Sequence, residues 1–477
     1  MERLVTLLND VIWSPALIYL CLGAGLYFSL RTRFMQVRGF REMIRLMFSG
    51  KSSEAGVSSF QALAMSLSGR VGTGNIAGVA TAIAFGGPGA VFWMWTVAFL
   101  GASTAYVEST LAQIYKEKDE KGQYRGGPAY FIEKAMGQRW YAWLFAVVTA
   151  IATGLLLPGV QANSIASGLN NAWGIAPSVT AAIVVVVLGF IIFGGVKRIA
   201  RFAEVVVPFM ALAYILVALV IMFINIQQVP IIFMLIIKSA FGMEAGFGAV
   251  LGLAVQWGVK RGVYSNEAGQ GTGPHAAAAA EVSHPAKQGY VQAFSIYVDT
   301  LLVCSATAFM ILSTGMYNVV HPDGSMIVNA LPGVEVGPGF AQAAVESVLP
   351  GWGRGFVALA LLFFAFTTIV AYYYMAETNI TYINRKVHRP WLVFVLRIGI
   401  MGAVTYGAIK SAALAWGLGD IGVGLMAWLN IIAILILQKP ALLALRDYER
   451  QKKLGLDPTF DPEALGIKNA DFWKKKD

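Results

Sequence analysis

The chain has 477 residues, of which 57% are hydrophobic and only 13% charged, about half the charged fraction of a soluble domain. That composition excludes a water-soluble globular protein and points to one that crosses a membrane many times. The net charge of +10 does not mark a nucleic-acid binder, because the basic residues are spread over alternate loops instead of forming one patch.

Apolar runs long enough for a hydrocarbon core of roughly 30 Å begin near Val11, Val57, Gly89, Trp140, Ala176, Val205, Gly242, Tyr290, Gly355, Trp391 and Ala412. They predict an all-α polytopic protein with eleven transmembrane helices. One set of alternate loops carries Arg31 to Lys51, Lys116 to Arg139, Lys197 to Arg201, the group Lys260, Arg261 and Lys287, Arg385 to Arg397, and a lysine-rich tail. The other set carries only Arg3, Lys238, Arg354 and Lys410. Cytoplasmic loops hold the excess of Lys and Arg, so the N-terminus is expected outside and the tail inside a bacterial or archaeal plasma membrane. The first run lacks a basic stretch before it and has an arginine cluster after it, which reads as a retained helix and not a signal peptide. Cys21 and Cys304 lie within apolar runs, against a disulfide framework or a cysteine metal site. The four histidines show no ligand spacing.

Residues 1–51 read as an N-terminal helix and basic loop, 52–228 and 229–438 as two groups of five spans, and 439–477 as a basic cytoplasmic tail. Five is odd, so the second group enters the membrane with the opposite orientation to the first, the arithmetic of an inverted-topology repeat. Segments 41–48, 230–241 and 339–348 are too short or too amphipathic to span and read as interfacial or gating helices.

The opening span of each group is interrupted by small and polar residues, in "SLSGRVGTGNIAGVATAIAF" and in "VQWGVKRGVYSNEAGQGTGPHAAAAA". In the first, Gly72, Gly74 and Ala77 match the dinucleotide pattern G-x-G-x-x-A. That reading fails, because the next carboxylate is Glu108 and another span intervenes, where a nucleotide site needs a preceding strand and an acidic residue about twenty positions on. Gly in corresponding positions of two halves instead indicates helices broken around a substrate site. Packing of small residues alone leaves Thr73 and Asn75, between the glycines, without a role. Backbone opened at membrane depth is tolerated only where it lines a cavity or meets a ligand. Half-helix N-termini favour anions and freed carbonyls favour cations, which together suit a zwitterionic amino acid and a sodium ion.

"GTGNIAGVATAIAFGGPGAVFWMWTVAFLG" and "GVKRGVYSNEAGQGTGPHAAAA" resemble hallmark segments of the sodium:alanine symporter family, also called alanine or glycine:cation symporters. The resemblance covers essentially the whole chain and implies a LeuT-type fold, one extra N-terminal helix plus a five-plus-five inverted repeat, importing alanine or glycine with sodium. Carried over position by position, it implies substrate contacts from the backbone at Val71, Gly72, Thr73 and Gly74 and from the Asn75 amide. It further implies a sodium site formed by Thr367 and Thr368 with carbonyls of the Ser68 to Val71 turn, hard oxygen ligands suited to a hard cation. The competing reading of each Thr is a bond to its own helix carbonyl. No organic cofactor and no enzymatic activity are expected.

Gln161, a lone amide within a span, must find a partner or face the cavity and is assigned to substrate. Trp257 is a candidate cap over the pocket, with interfacial anchoring as its alternative. Ser265 to Gly273 reads as a hinge or inner gate in which Glu267 pairs with Lys260 or Arg261, or else as a tight loop with a satisfied carboxylate. Glu108 reads as a structural partner. Arg70 and Asp299, both costly at membrane depth, are expected to pair, or else Asp299 faces the cation directly. Rival functions are a serine or glutamine transporter, an ion channel, which lacks the expected filter or charge rings, and an intramembrane enzyme, which lacks a serine, histidine and acid set at depth.

Overall fold

The computed structural model describes residues 2–474. Helices α1 (Glu2–Ile12) and α2 (Pro15–Arg31) meet at a bend of 43°, followed by the short α3 (Met35–Arg38) and α4 (Phe40–Met47). An interrupted helix comes next, α5 (Ser59–Arg70) and α6 (Ala77–Gly86), then the long α7 (Gly89–Ile114). A hairpin of β1 (Glu117–Lys118) and β2 (Tyr124–Arg125) and the single turn α8 (Pro128–Phe131) lead to α9 (Arg139–Ile151), which runs through a π-helical turn into α10 (Leu157–Trp173). Helices α11 (Pro177–Ile192), α12 (Gly195–Ile224) and α13 (Gln228–Ala240) complete the first half of the chain.

A second interrupted helix follows, α14 (Leu251–Asn266) and α15 (Gly273–Ala279). Helices α16 (Pro285–Ile296) and α17 (Ser305–Thr314) are joined by a π-helical stretch, Tyr297–Cys304. The hairpin β3 (Asn318–Val320) and β4 (Met326–Asn329), α18 (Pro338–Val348), α19 (Gly353–Val387), α20 (Trp391–Ile409) and α21 (Ala412–Lys453) complete the helical core, and a segment ending in a 3-10 turn (Asp471–Trp473) follows. The segments expected to lie at the interface are helical, as α4, α13 and α18.

Among the described residues, seven helical stretches are long and apolar enough to cross a membrane, eight if α1 and α2 are one bent span. Helix α12 shows why: Val205, Phe209, Leu212, Leu216 and Phe223 are exposed along one face, with no water-soluble partner for so much apolar surface. The interior is different. α7 packs against α2, α13, α14, α15, α16 and α21, while α10 lies against α19, α20 and α21. The first interrupted helix lies against α7, α12 and α19, and the second against α7 and α6.

Local sequence starts and stops these elements. Ser58 Oγ accepts from the Gln61 N–H (3.1 Å) and Gln61 Oε1 from the Ser58 N–H (3.0 Å), a capping box at the head of α5. α5 ends at Arg70, before Gly72 and Gly74, and α14 ends where Glu267 takes a left-handed conformation (φ 59°) followed by Gly269 and Gly271 at positive φ. Lys260 and Arg261, counted by sequence among loop cations, lie inside α14 and are buried. The apolar run was set too early, so the helix that contains them was read as its flank.

Candidate ion and substrate site

The two interrupted helices cross at their breaks. Gly74 lies against the second: a Cβ there would stand 3.2 Å from the Ser265 backbone and 3.2 Å from the Tyr264 ring, so a larger residue would push the two helices apart by a few tenths of an ångström. A Cβ on Gly72 would overlap Thr368 Oγ1 and come within 3.0 Å of Gln161 Oε1. Gln161 Oε1 accepts from the Thr73 N–H (3.0 Å), and its Nε2 donates to Tyr264 Oη (3.4 Å). The first break, α10 and α14 are thus joined by one amide.

Thr368 is fully buried, and its hydroxyl oxygen lies 2.8 Å from the Ser68 carbonyl, 2.9 Å from Phe364 O and 3.4 Å from Val71 O. One hydroxyl proton cannot serve three acceptors. The Ser68 and Val71 carbonyls have no helical donor either, since α5 has ended, the Gly72 N–H goes to Asn75 Oδ1 (2.8 Å) and the Asn75 N–H to Gly72 O (3.2 Å). The result is a pocket of under-satisfied hard oxygens, the donor set a small alkali cation requires. The side-chain hydroxyl of Ser68 turns back to Met65 O (2.7 Å), so that residue offers its carbonyl only. Thr367 Oγ1 bonds Phe364 O (2.9 Å) on its own helix and does not join Thr368 at the break.

Asn75 has both ends of its amide engaged. Its Oδ1 caps the break, and its Nδ2 donates to Asp299 Oδ1 at 2.7 Å. Asp299 also accepts from Ser265 Oγ (3.1 Å) and Thr300 Oγ1 (2.7 Å). The π-helical stretch, a form that recurs at functional sites, brings Asp299 and Thr300 to the crossing. The expected Arg70 to Asp299 pair does not form among the described residues. Arg70 instead donates through Nε to Asn266 O (2.7 Å) and through Nη1 to Gln292 Oε1 (3.1 Å) and Ser295 Oγ. Neutral oxygens on α14 and α16 take its Nε and Nη1 without a carboxylate, while Nη2 is buried with no hydrogen-bond partner.

Glu267 does not pair with Lys260 or Arg261. Both cations go to Asp420 on α21, Arg261 through two parallel bonds of 2.9 and 2.8 Å and Lys260 at 2.9 Å. Glu108 accepts from the Gly269 N–H (3.2 Å) and Asn430 Nδ2 (2.7 Å), the structural role expected of it. Trp257 is half-buried and stacks on Phe85 (4.9 Å), with Lys260 and Arg261 over its ring. The aromatic nearer the break is Trp416, tilted on Tyr264 at 4.9 Å, with the Arg261 guanidinium 4.4 Å from its centroid. Trp416 lines a cavity of about 650 Å³ shared with Asn163, Ser164, Gln342 and Lys410. Asp420 and Trp416 went unread in the sequence, although a lone carboxylate within a span facing two adjacent cations was the available signal.

The description "Sodium:alanine symporter family" matches residues 1–462. The chain belongs to the sodium:alanine symporter family. A relative from Bacillus subtilis (strain 168), YrbD, named as a candidate sodium/proton-dependent alanine carrier, is 66% identical over 476 residues, covering 100% of this chain and 98% of its own. The sodium/proton-dependent alanine carrier protein of Bacillus sp. (strain PS3) is 57% identical over 91% of this chain and 97% of its own. The sodium/alanine symporter AgcS of Methanococcus maripaludis is 38% identical over 91% and 94%. In this member of the family, the under-satisfied Ser68 and Val71 carbonyls lie at the crossing of the two breaks.

Proposed function

We propose that the protein is a sodium-coupled symporter that imports a small neutral amino acid, alanine or glycine, by alternating access. The observation that carries this is the oxygen pocket formed by Thr368 with the Ser68 and Val71 carbonyls, which lies at the break of a helix and beside the crossing with a second broken helix. Sodium binds there. The substrate binds alongside, over Gly72, Thr73 and Gly74, where Gln161 and the unpartnered, buried Thr73 hydroxyl offer polar contacts and Asn75 holds the break in shape. The names of the relatives support alanine as the substrate and sodium, with protons, as coupling ions.

Counting the two broken helices and α11 with the eight apolar spans makes eleven crossings. The basic loops then face the cytoplasm of the plasma membrane and the N-terminus faces outward. Residues 52–228 and 229–438 are the two inverted repeats, LeuT-type, with Trp416 and the Arg261 to Asp420 pair closing the site from the outside. One sodium entering down ~100 mV supplies about 2.3 kcal/mol and a tenfold sodium gradient about 1.4 more. Together these sustain accumulation of several hundred-fold. The test is uptake into proteoliposomes across a panel of alanine, glycine, serine and glutamine, with and without a sodium gradient. Uptake of alanine or glycine that stops when the gradient is collapsed is expected; uptake indifferent to sodium overturns the proposal.

A further inference from the structure

On the face that carries the basic loops, the ends of both broken helices meet. The Val57 N–H donates to Ala279 O (2.9 Å) and the Glu281 N–H to Val57 O (2.8 Å), a short parallel bridge between the chain entering α5 and the chain leaving α15. Ala280 O, within that bridge, accepts from Gln113 Nε2 at 3.1 Å, in the last turn of α7, and from Lys116 Nζ at 2.8 Å, just beyond it. Lys116 is fully buried and makes no ion pair among the described residues.

Its charge is met by rings. Lys116 Nζ stands 4.3 Å from the Tyr124 centroid, 4.5 Å from Phe472 and 5.4 Å from Trp473. Trp473 Nε1 donates to Gln113 O (2.9 Å), and Tyr124 meets Phe472 edge-on at 4.9 Å. The segment after α21 is laid along this face to reach the lysine: the Phe460 N–H bonds Ser283 O (3.0 Å), and Asn469 Nδ2 bonds Lys134 O (2.8 Å). Two of the three rings around a buried ammonium therefore come from a segment outside the helical core.

We propose that Phe472 and Trp473 form an intramolecular latch, holding Lys116 on Ala280 so that the inner ends of both broken helices stay together until the segment lifts. Lys116 is the positioning residue. A path from the site to the basic face has to part Val57 from Ala280, and doing so removes the carbonyl that Lys116 grips. The inference rests on the alternating-access reading above, but it predicts a conformational bias that is measured without transport.

The experiment labels Ala277→Cys, a buried position on α15, with a membrane-impermeant maleimide in the full chain, the buried Cys21 and Cys304 being replaced by serine. Cation–π contacts of about 0.5 to 2 kcal/mol convert to a roughly two- to thirty-fold shift in opening. Trp473→Ala and the double change Phe472→Ala with Trp473→Ala should raise the labelling rate by that range. Trp473→Phe and Lys116→Arg should restore the slow rate, whereas Lys116→Met should label fast. Unchanged labelling in the double variant overturns the latch, as does a Trp473→Phe rate equal to that of Trp473→Ala. Loss of sodium-driven uptake in the parent protein would count against the transport reading while leaving the labelling comparison standing.

Discussion

Thr368→Val is the sharpest test of the ion site. The change keeps the branched shape and deletes the single atom that lies 2.8 Å from Ser68 O and 3.4 Å from Val71 O. In the ion-free protein it removes one buried neutral hydrogen bond, a net cost of about 0.5–1.5 kcal/mol, so the variant should fold with a melting temperature lowered by only a few degrees. For bound sodium the same atom is a ligand to a desolvated charge, where such contacts contribute about 1.5–3 kcal/mol. That corresponds to a loss of roughly 10- to 150-fold in sodium affinity. Thr367→Val supplies the control, because its hydroxyl bonds only Phe364 O on its own helix. Isothermal titration of sodium into the three purified proteins separates the cases: a large loss in Thr368→Val and a near-normal Thr367→Val are expected. Wild-type affinity in Thr368→Val would place the ion elsewhere.

Asp299→Asn should leave a stable protein, since no cation depends on that carboxylate among the described residues, and should change the sodium dependence of uptake; a strongly destabilised protein with normal sodium dependence would refute this. Asn75→Ala strips both the cap on Gly72 and a donor to Asp299, leaving buried groups unmet at about 1–3 kcal/mol. It should weaken alanine binding at least tenfold in equilibrium dialysis, and unchanged affinity would remove Asn75 from the site. Asp420→Asn abandons two buried cations, Arg261 and Lys260, and should destabilise by about 3–5 kcal/mol; a thermal midpoint within a degree of wild type would show that the pair is not closed as described. His284 is buried, its Nδ1 accepts from the Ala286 N–H (3.1 Å), and burial, outweighing the Asp447 carboxylate 3.3 Å from its Nε2, lowers the imidazole from its ordinary value. The unfolded chain then takes up a proton that the folded one refuses, so stability should fall as pH drops below about 6.5. Melting curves between pH 7 and 5 check this, and a His284→Gln protein showing the same slope would assign the effect to another group.

Much of the site was legible because breaking a helix at membrane depth demands particular residues. Gly72 and Gly74 mark the first break, the Ser265 to Gly273 stretch marks the second, and each had to appear in an otherwise apolar run. Gln161 was legible for the same reason, since an isolated amide in a span needs a partner. The choice between Thr367 and Thr368 was not. Adjacent helical positions point about 100° apart, and only the rotation of α19 against α5 decides which hydroxyl meets the Ser68 carbonyl. Arg70 illustrates the opposite failure: charge alone suggested Asp299, whereas a carbonyl, an amide and a hydroxyl from α14 and α16 took the guanidinium first.

Composition and hydropathy by themselves determined that the chain is a bundle of membrane-crossing helices, and the glycines in two of the runs that these are broken, because hydropathy and backbone satisfaction act locally along the chain; the sodium:alanine symporter family is legible only through the resemblance of its hallmark segments. Tertiary structure alone decided the partners across it: Lys260 and Arg261 with Asp420 some 159 residues away from Arg261, Asn75 with Asp299, and Lys116 under the rings of Phe472 and Trp473. Such pairings depend on which helix faces are turned together, and in a chain this apolar nearly every face is a permissible one until packing selects it.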